Sequence, residues 1–165
     1  MCDYRAQLSS QSSAWSRAGA LRVLLVDDNS DVAESPGVLL DLHGHRILTC
    51  LHPHDALKLA PGFEPDVCIL DIGLPCMSGH DLARGLRAAG LTRSTYIAVT
   101  GYGSDEARKA SEAAGFAMHL TKPVAPEYLL EQLACIRRAR AVPSSKSMDD
   151  LAPTNGWVGS LRVAS

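Results

Sequence analysis

Neither sign of charge dominates this 165-residue chain, in which 16 Lys and Arg stand against 18 Asp and Glu for a formal net charge of -2. Without a basic excess there is no field to grip a nucleic-acid backbone, so direct nucleic-acid binding is not expected. No apolar stretch reaches membrane-spanning length. Residues 1–20 are Ser-rich and interrupted by Asp3, Arg5, Gln7, Gln11 and Arg17, which leaves no apolar core for a signal peptide. The five cysteines (Cys2, Cys50, Cys68, Cys76 and Cys135) form no C-x-x-C pair, and two of them sit in apolar runs. Reduced thiols in a soluble, cytoplasmic protein are therefore expected. Coiled-coil heptads and internal sequence repeats are also missing.

What the chain does have is 46% hydrophobic residues, enough for one well-buried domain at this length. Short apolar runs at 21–27, 46–50, 66–71, 95–99 and 117–120 alternate with longer segments of helical period. Five βα units in succession predict a parallel sheet with helices on both faces. Ser78 is a candidate N-cap for a helix over 79–89 and Gly90 its C-cap; Ser104 or Asp105 opens the next helix and Gly115 stops it. The expected organisation is a leader over 1–20, one domain over 21–140 and a flexible tail over 141–165, where Pro, Ser and Gly end the helical period.

The first helix carries a conflict, since Pro36-Gly37 falls inside a helical pattern at 30–43 and an interior proline costs roughly 3 kcal/mol. Either the helix starts late, with Ser35 as N-cap and Pro36 at its first position, or it begins near Ser30 and kinks at Pro36. The kink is slightly favoured.

Asp71 is the residue with the most chemistry in reach, ending the apolar run Asp66-Val-Cys-Ile-Leu-Asp71. Asp27 and Asp28 end another run, while Thr100 and Lys122 each follow a further one. In an open parallel sheet ligands bind beyond the carboxyl ends of the strands, which is where all five residues fall. Three gathered carboxylates repel, and clustered hard oxygens favour Mg²⁺. With that charge and Lys122 screening an incoming phosphoryl group, Asp71 can attack in line and Thr100 can hydrogen-bond a transferred oxygen.

The strings Val26-Asp27-Asp28-Asn29, Leu70-Asp71-Ile-Gly-Leu-Pro75, Met77-Ser-Gly79, Val99-Thr100-Gly101-Tyr102-Gly103 and Leu120-Thr-Lys122-Pro123-Val124 resemble the motifs of a response-regulator receiver domain of two-component signalling. The resemblance spans residues 21 to about 139. It implies a flavodoxin-like sheet of order 2-1-3-4-5, with Asp71 as phosphoacceptor and Asp27 and Asp28 as the acidic pair for the metal. The carbonyl of Gly73 would be a third metal ligand, and a cis peptide would precede Pro123. It also implies a phosphohistidine donor on a histidine kinase or a histidine phosphotransfer protein. A phosphorylation-dependent target, or a second copy, would meet the face of the fourth and fifth helices. Thr100 would follow the phosphoryl group, and the residue three before Lys122 would turn in response; many relatives have Tyr or Phe there, and this chain has His119. The Gly115-Phe116-x-x-His119-Leu120-x-Lys122-Pro123-Val124 string is similar to receivers attached to hybrid histidine kinases, which favours relay over transcription. The opening Met1 favours a stand-alone regulator over a piece cut from such a kinase. Gly73 and Tyr102 occupy the two positions that tune acyl-phosphate hydrolysis in the family.

Such a domain assists its own phosphorylation and dephosphorylation without being an enzyme on a separate substrate. An aspartate-nucleophile phosphatase is the rival, but it carries a second Asp two residues after the nucleophile, where this chain has Gly73. A receiver that only binds partners is the other, with Pro36 and His119 as its motive. His43, His45, His52 and His54 are read as a solvated surface rather than a metal site, Cys76 as an inert thiol, and Arg137, Arg138 and Arg140 as a solvated helix end.

Overall fold

In the computed structural model the three central strands are apolar runs buried on both faces, while the two edge strands are only partly covered, and the side chains divide by parity. The structure describes residues 19–29, 37–101 and 103–141. The strands are β1 (Arg22–Val26), β2 (Arg46–Cys50), β3 (Val67–Asp71), β4 (Thr95–Thr100) and β5 (Met118–Thr121). From β1, β3 and β4 in turn, Leu24 and Val26, Cys68 and Leu70, and Tyr96 and Ala98 face one core. Val23 and Leu25, Val67 and Ile69, and Ile97 and Val99 face the other. All pairings are parallel and the sheet order is β2-β1-β3-β4-β5. Continuous apolar strands of this kind need cover on both sides, and helices supply it.

Helical backbone over residues 37–42 forms α1. It is followed by α2 (Pro53–Phe63), α3 (Gly79–Ala88), α4 (Asp105–Ala113) and α5 (Pro126–Ala141). Ala56 and Ala60 of α2 join Leu82, Ala83 and Leu86 of α3 in the first core. Leu40 of α1 and Leu129, Leu133 and Ile136 of α5 fill the second. Ser78 caps α3 by accepting from the Asp81 amide, and Ser104 caps α4 by accepting from the Ala107 amide. Gly90 and Gly115 follow these two helices with φ of 100° and 80°, the left-handed turn that glycine adopts without a Cβ clash. Helix α2 ends differently: Pro61 lies inside it, and Glu64 takes the left-handed position with φ 51° while its amide bonds to the Ala60 carbonyl. Ser30, Ser35 and Pro36, on which the two readings of the first helix depend, lie outside the described residues, as do Tyr102, most of the leader and the tail from residue 142. Among the described residues no helix is long and apolar enough to cross a membrane.

One histidine departs from the solvated surface expected for its group. His43, His52 and His54 are exposed, but His45 is buried and its Nδ1 accepts a hydrogen bond from the Leu21 amide at 3.2 Å. The partner lies 24 residues away in sequence, so short-range spacing could not show it. Burial, and then the charges of Arg137 and His43, hold the His45 imidazole below its ordinary value of 6.5. A depressed folded value means that the stability is fully present above pH 6.5 and is lost as pH falls through the folded value. Urea unfolding midpoints are expected to drop across that window in the native chain. In His45→Asn, whose amide oxygen still accepts from Leu21, this part of the drop disappears; an unchanged pH profile would contradict the assignment.

Candidate functional site

The sheet order brings the carboxyl ends of β1, β3, β4 and β5 to one edge. Asp27 and Asp28 follow Val26, Asp71 closes β3, Thr100 closes β4, and Lys122 follows β5, with its amide bonded to the Thr100 carbonyl at 2.8 Å. The parallel register fixes their depth, since Val26 pairs with Leu70, Asp71 with Val99 and Thr100 with Thr121. Asp27 (3% exposed), Asp71 (7%) and Thr100 (3%) are buried, whereas Asp28 faces solvent.

Lys122 is the centre of the electrostatics. Its Nζ lies 2.7 Å from Asp27 Oδ2 and 2.6 Å from Asp71 Oδ2. Burial works against the ammonium, but its hydrogen bonds to Asp27 and Asp71 and their charges outweigh that penalty and raise its affinity for the proton. The second oxygens of both carboxylates are used as well: the Asn29 amide donates to Asp27 Oδ1 at 3.0 Å and the Gly73 amide to Asp71 Oδ1 at 2.8 Å. Ligand atoms of Asp27, Asp28 and Asp71 all lie within 4.8 Å of one another. Three carboxylates against one ammonium leave an excess of negative charge in a partly buried cleft. Their oxygens are hard donors of the kind Mg²⁺ takes, so the residues present fit a divalent ion.

The loop after Asp71 is held by Gly79, the first residue of α3. Its amide bonds to the Ile72 carbonyl at 3.1 Å, and a Cβ added to Gly79 would lie 2.3 Å from the Asp71 carbonyl oxygen. Only glycine lets the start of α3 approach the Asp71 backbone this closely. Within the same loop Cys76 is exposed with φ 68°. Burial pushes the Cys50 thiol up to about 11 and the Cys68 thiol up to about 12, so neither is a nucleophile at neutral pH.

The expected site residues thus lie at one edge, and the Lys122–Pro123 peptide is cis. His119 sits farther back on β5, where its Nδ1 is 2.9 Å from Ser111 Oγ. Sequence reasoning missed Ser111, as well as His80, whose Nε2 is 3.2 Å from the same oxygen. The available signal was a serine in the middle of α4, a helix with no buried apolar residue of its own. Among the described residues, His43, His45, His52 and His54 form no metal-ligating group.

Residues 23–134 match the family model for the response regulator receiver domain. The chain belongs to that family. This receiver is 34% identical over 120 residues to the transcriptional regulatory protein KdpE of Mycobacterium tuberculosis, covering 72% of this chain and 52% of KdpE. It is 32% identical over 143 residues to the transcriptional regulatory protein PrrA of Mycobacterium leprae, covering 86% of the chain and 58% of PrrA. The receiver chain therefore spans about half the length of the curated relatives it matches. Among solved structures it resembles a CheY-like receiver domain protein from Methanospirillum hungatei JF-1, with a TM-score of 0.67, 29% identity and 96% of that chain covered by 73% of this one. Chemotaxis protein CheY4 of Vibrio cholerae gives the same TM-score at 27% identity, with 71% and 98% coverage. The five-stranded order 2-1-3-4-5 is the receiver fold. None of these likenesses distinguishes the hybrid-kinase subgroup.

Proposed function

We propose that this receiver, over residues 21–140, is the phosphoacceptor of a histidine-to-aspartate phosphorelay and that Asp71 takes the phosphoryl group. An oxygen of the Asp71 carboxylate attacks phosphorus as the P–N bond of a phosphohistidine breaks; the electron pair leaves on the imidazole nitrogen, which takes up a proton. The product is an aspartyl phosphate. Asp27, Asp28, Asp71 and the Gly73 carbonyl would hold Mg²⁺, which when bound supplies positive charge against the phosphoryl oxygens. Lys122 neutralises charge on the transferred group, and Thr100 donates to one of its oxygens. The observation that carries the reading is the Lys122 ammonium shared between Asp27 and Asp71: a cation already sits where the reaction needs one.

The phosphoryl donor is a histidine kinase or a histidine phosphotransfer protein. A phosphorylation-dependent target or a second copy meets the α4 to α5 face, with relay rather than transcription as the outcome and the cytoplasm as the setting. The family match supports the histidine-kinase donor, and the resemblance of the His119 string to hybrid-kinase receivers is what favours relay. No small-molecule substrate is turned over, and Gly73, in place of a second Asp, argues against a phosphatase.

Borohydride trapping after incubation with acetyl phosphate and Mg²⁺ tests the position. Reduction of an aspartyl phosphate leaves homoserine, and peptide mapping is expected to find it at residue 71. Label at Asp27 or Asp28, or label unaffected by Asp71→Asn, would move the acceptor elsewhere.

A further inference from the structure

Helix α4 buries one residue, and it is polar. Ser111 is 1% exposed, and its Oγ lies 3.1 Å from the Ala107 carbonyl, 2.9 Å from His119 Nδ1 and 3.2 Å from His80 Nε2. A hydroxyl has one hydrogen and two lone pairs. The carbonyl can only accept, so the hydroxyl hydrogen goes to Ala107 and each imidazole must bring its own. Hydrogen-bond valence thus assigns His80 as the Nε2–H tautomer and His119 as the Nδ1–H tautomer. One oxygen then joins α3, α4 and β5, and every position around it is used. The His80 ring also meets the edge of Phe116 at 5.6 Å. Arg87 of α3 donates to the Ala114 and Gly115 carbonyls at the end of α4, so the two helices are tied at a second point.

The charges around this oxygen make it sensitive to protons. On α3, Asp81 favours a charged His80 while Arg84 opposes it; from β5, His119 opposes it too, and burial adds to the opposition and dominates. Ser111 and His119 themselves line a cleft of about 260 Å³ together with Arg108, Glu112, Tyr128 and Gln132. Burial, and the His119 ring across the shared oxygen, both oppose a charge on His80, so the bridged arrangement prefers a neutral His80 more than one in which the rings have separated.

We propose that Ser111 is a latch tying His119 of β5 to His80 of α3, that phosphorylation of Asp71 opens it, and that acid favours the open form. The second and third clauses rest on the phosphoacceptor reading; the latch itself does not. Opening exchanges a hydrogen bond to Ser111 for a place in the cleft beside Glu112, and it weakens the hold of α4, which buries no apolar side chain of its own. Linkage is reciprocal: if phosphorylation raises proton affinity at His80, protonation there favours the phosphorylated conformation to the same extent.

Histidine-ring NMR of the full chain across the imidazole range tests this, with phosphoryl occupancy counted by intact mass in each sample. Without a phosphoryl donor, Ser111→Ala and His119→Asn are both expected to raise the His80 midpoint by about one pH unit, the coupling at which paired sites titrate in separate steps. Acetyl phosphate with Mg²⁺ is expected to raise it similarly in the native chain and to add nothing in Ser111→Ala, where the latch is already gone. A His80 midpoint identical in the native chain and both variants overturns the latch. A phosphorylated native chain with an unmoved midpoint overturns the link to phosphorylation. No mass gain at all overturns the phosphoacceptor reading and this link with it, while the donor-free comparison still decides the latch.

Discussion

Replacing Lys122 with Met is expected to cost about 3 kcal/mol of folding stability, because breaking a buried pair from one side leaves its charge uncompensated. Here two buried carboxylates, Asp27 and Asp71, lose their shared cation at once, with Asp28 within 4.8 Å of both. The remaining site holds three negative charges and no positive one. Millimolar Mg²⁺ is then expected to return most of the loss, since an ion that binds only the folded state stabilises it by mass action. Denaturant unfolding with and without Mg²⁺ measures both effects. A Lys122→Met chain as stable as the native one without Mg²⁺ would show that the ammonium is not what holds the carboxylates together. In the native chain the proton affinity of Lys122 is raised, so its stabilisation is complete below pH 10.5 and is lost as pH rises through the folded value.

Gly79→Ala is the second large effect. A Cβ 2.3 Å from the Asp71 carbonyl oxygen cannot be accommodated by a side-chain rotation, because the atom it meets is backbone. Either α3 withdraws or the Asp71 peptide moves, and overpacking of this kind costs roughly 1–3 kcal/mol. The carboxylate is carried on that peptide, so the Lys122 and Gly73 contacts to Asp71 shift with it. The expected result is a folded chain that takes up acetyl phosphate far more slowly than the native one. Equal uptake rates in the two chains would mean that the close approach of α3 plays no part in placing Asp71.

These two effects mark what the sequence could show and where it stopped. The strand ends were legible because the chemistry at Asp27, Asp71, Thr100 and Lys122 interrupts apolar runs of strand length, and parallel strands with short connections bring such ends to one edge. Ser78 and Ser104 were legible as caps because an N-cap acts on an amide three residues away. Long-range contacts were not. The lysine bridge joins residues 51 positions apart, and His45 meets Leu21 across 24, so neither has a local signature. The Gly79 approach was visible as a motif without its cause. Ser111 escaped because a lone serine in a polar helix reads as solvated, and only the fold turns it inward between two histidines. The end of α2 follows no simple stop signal either, since Pro61 and Gly62 are carried inside the helix and a glutamate takes the left-handed turn.

Intact mass after incubation with acetyl phosphate, with and without Mg²⁺, on the native chain and on Asp71→Asn, tests the central claim most directly. One phosphoryl group gained by the native chain only with Mg²⁺, and by Asp71→Asn under neither condition, is the predicted result. A gain that persists in Asp71→Asn, or a native chain that binds Mg²⁺ yet takes up nothing from either acetyl phosphate or a phosphorylated histidine protein, would contradict it.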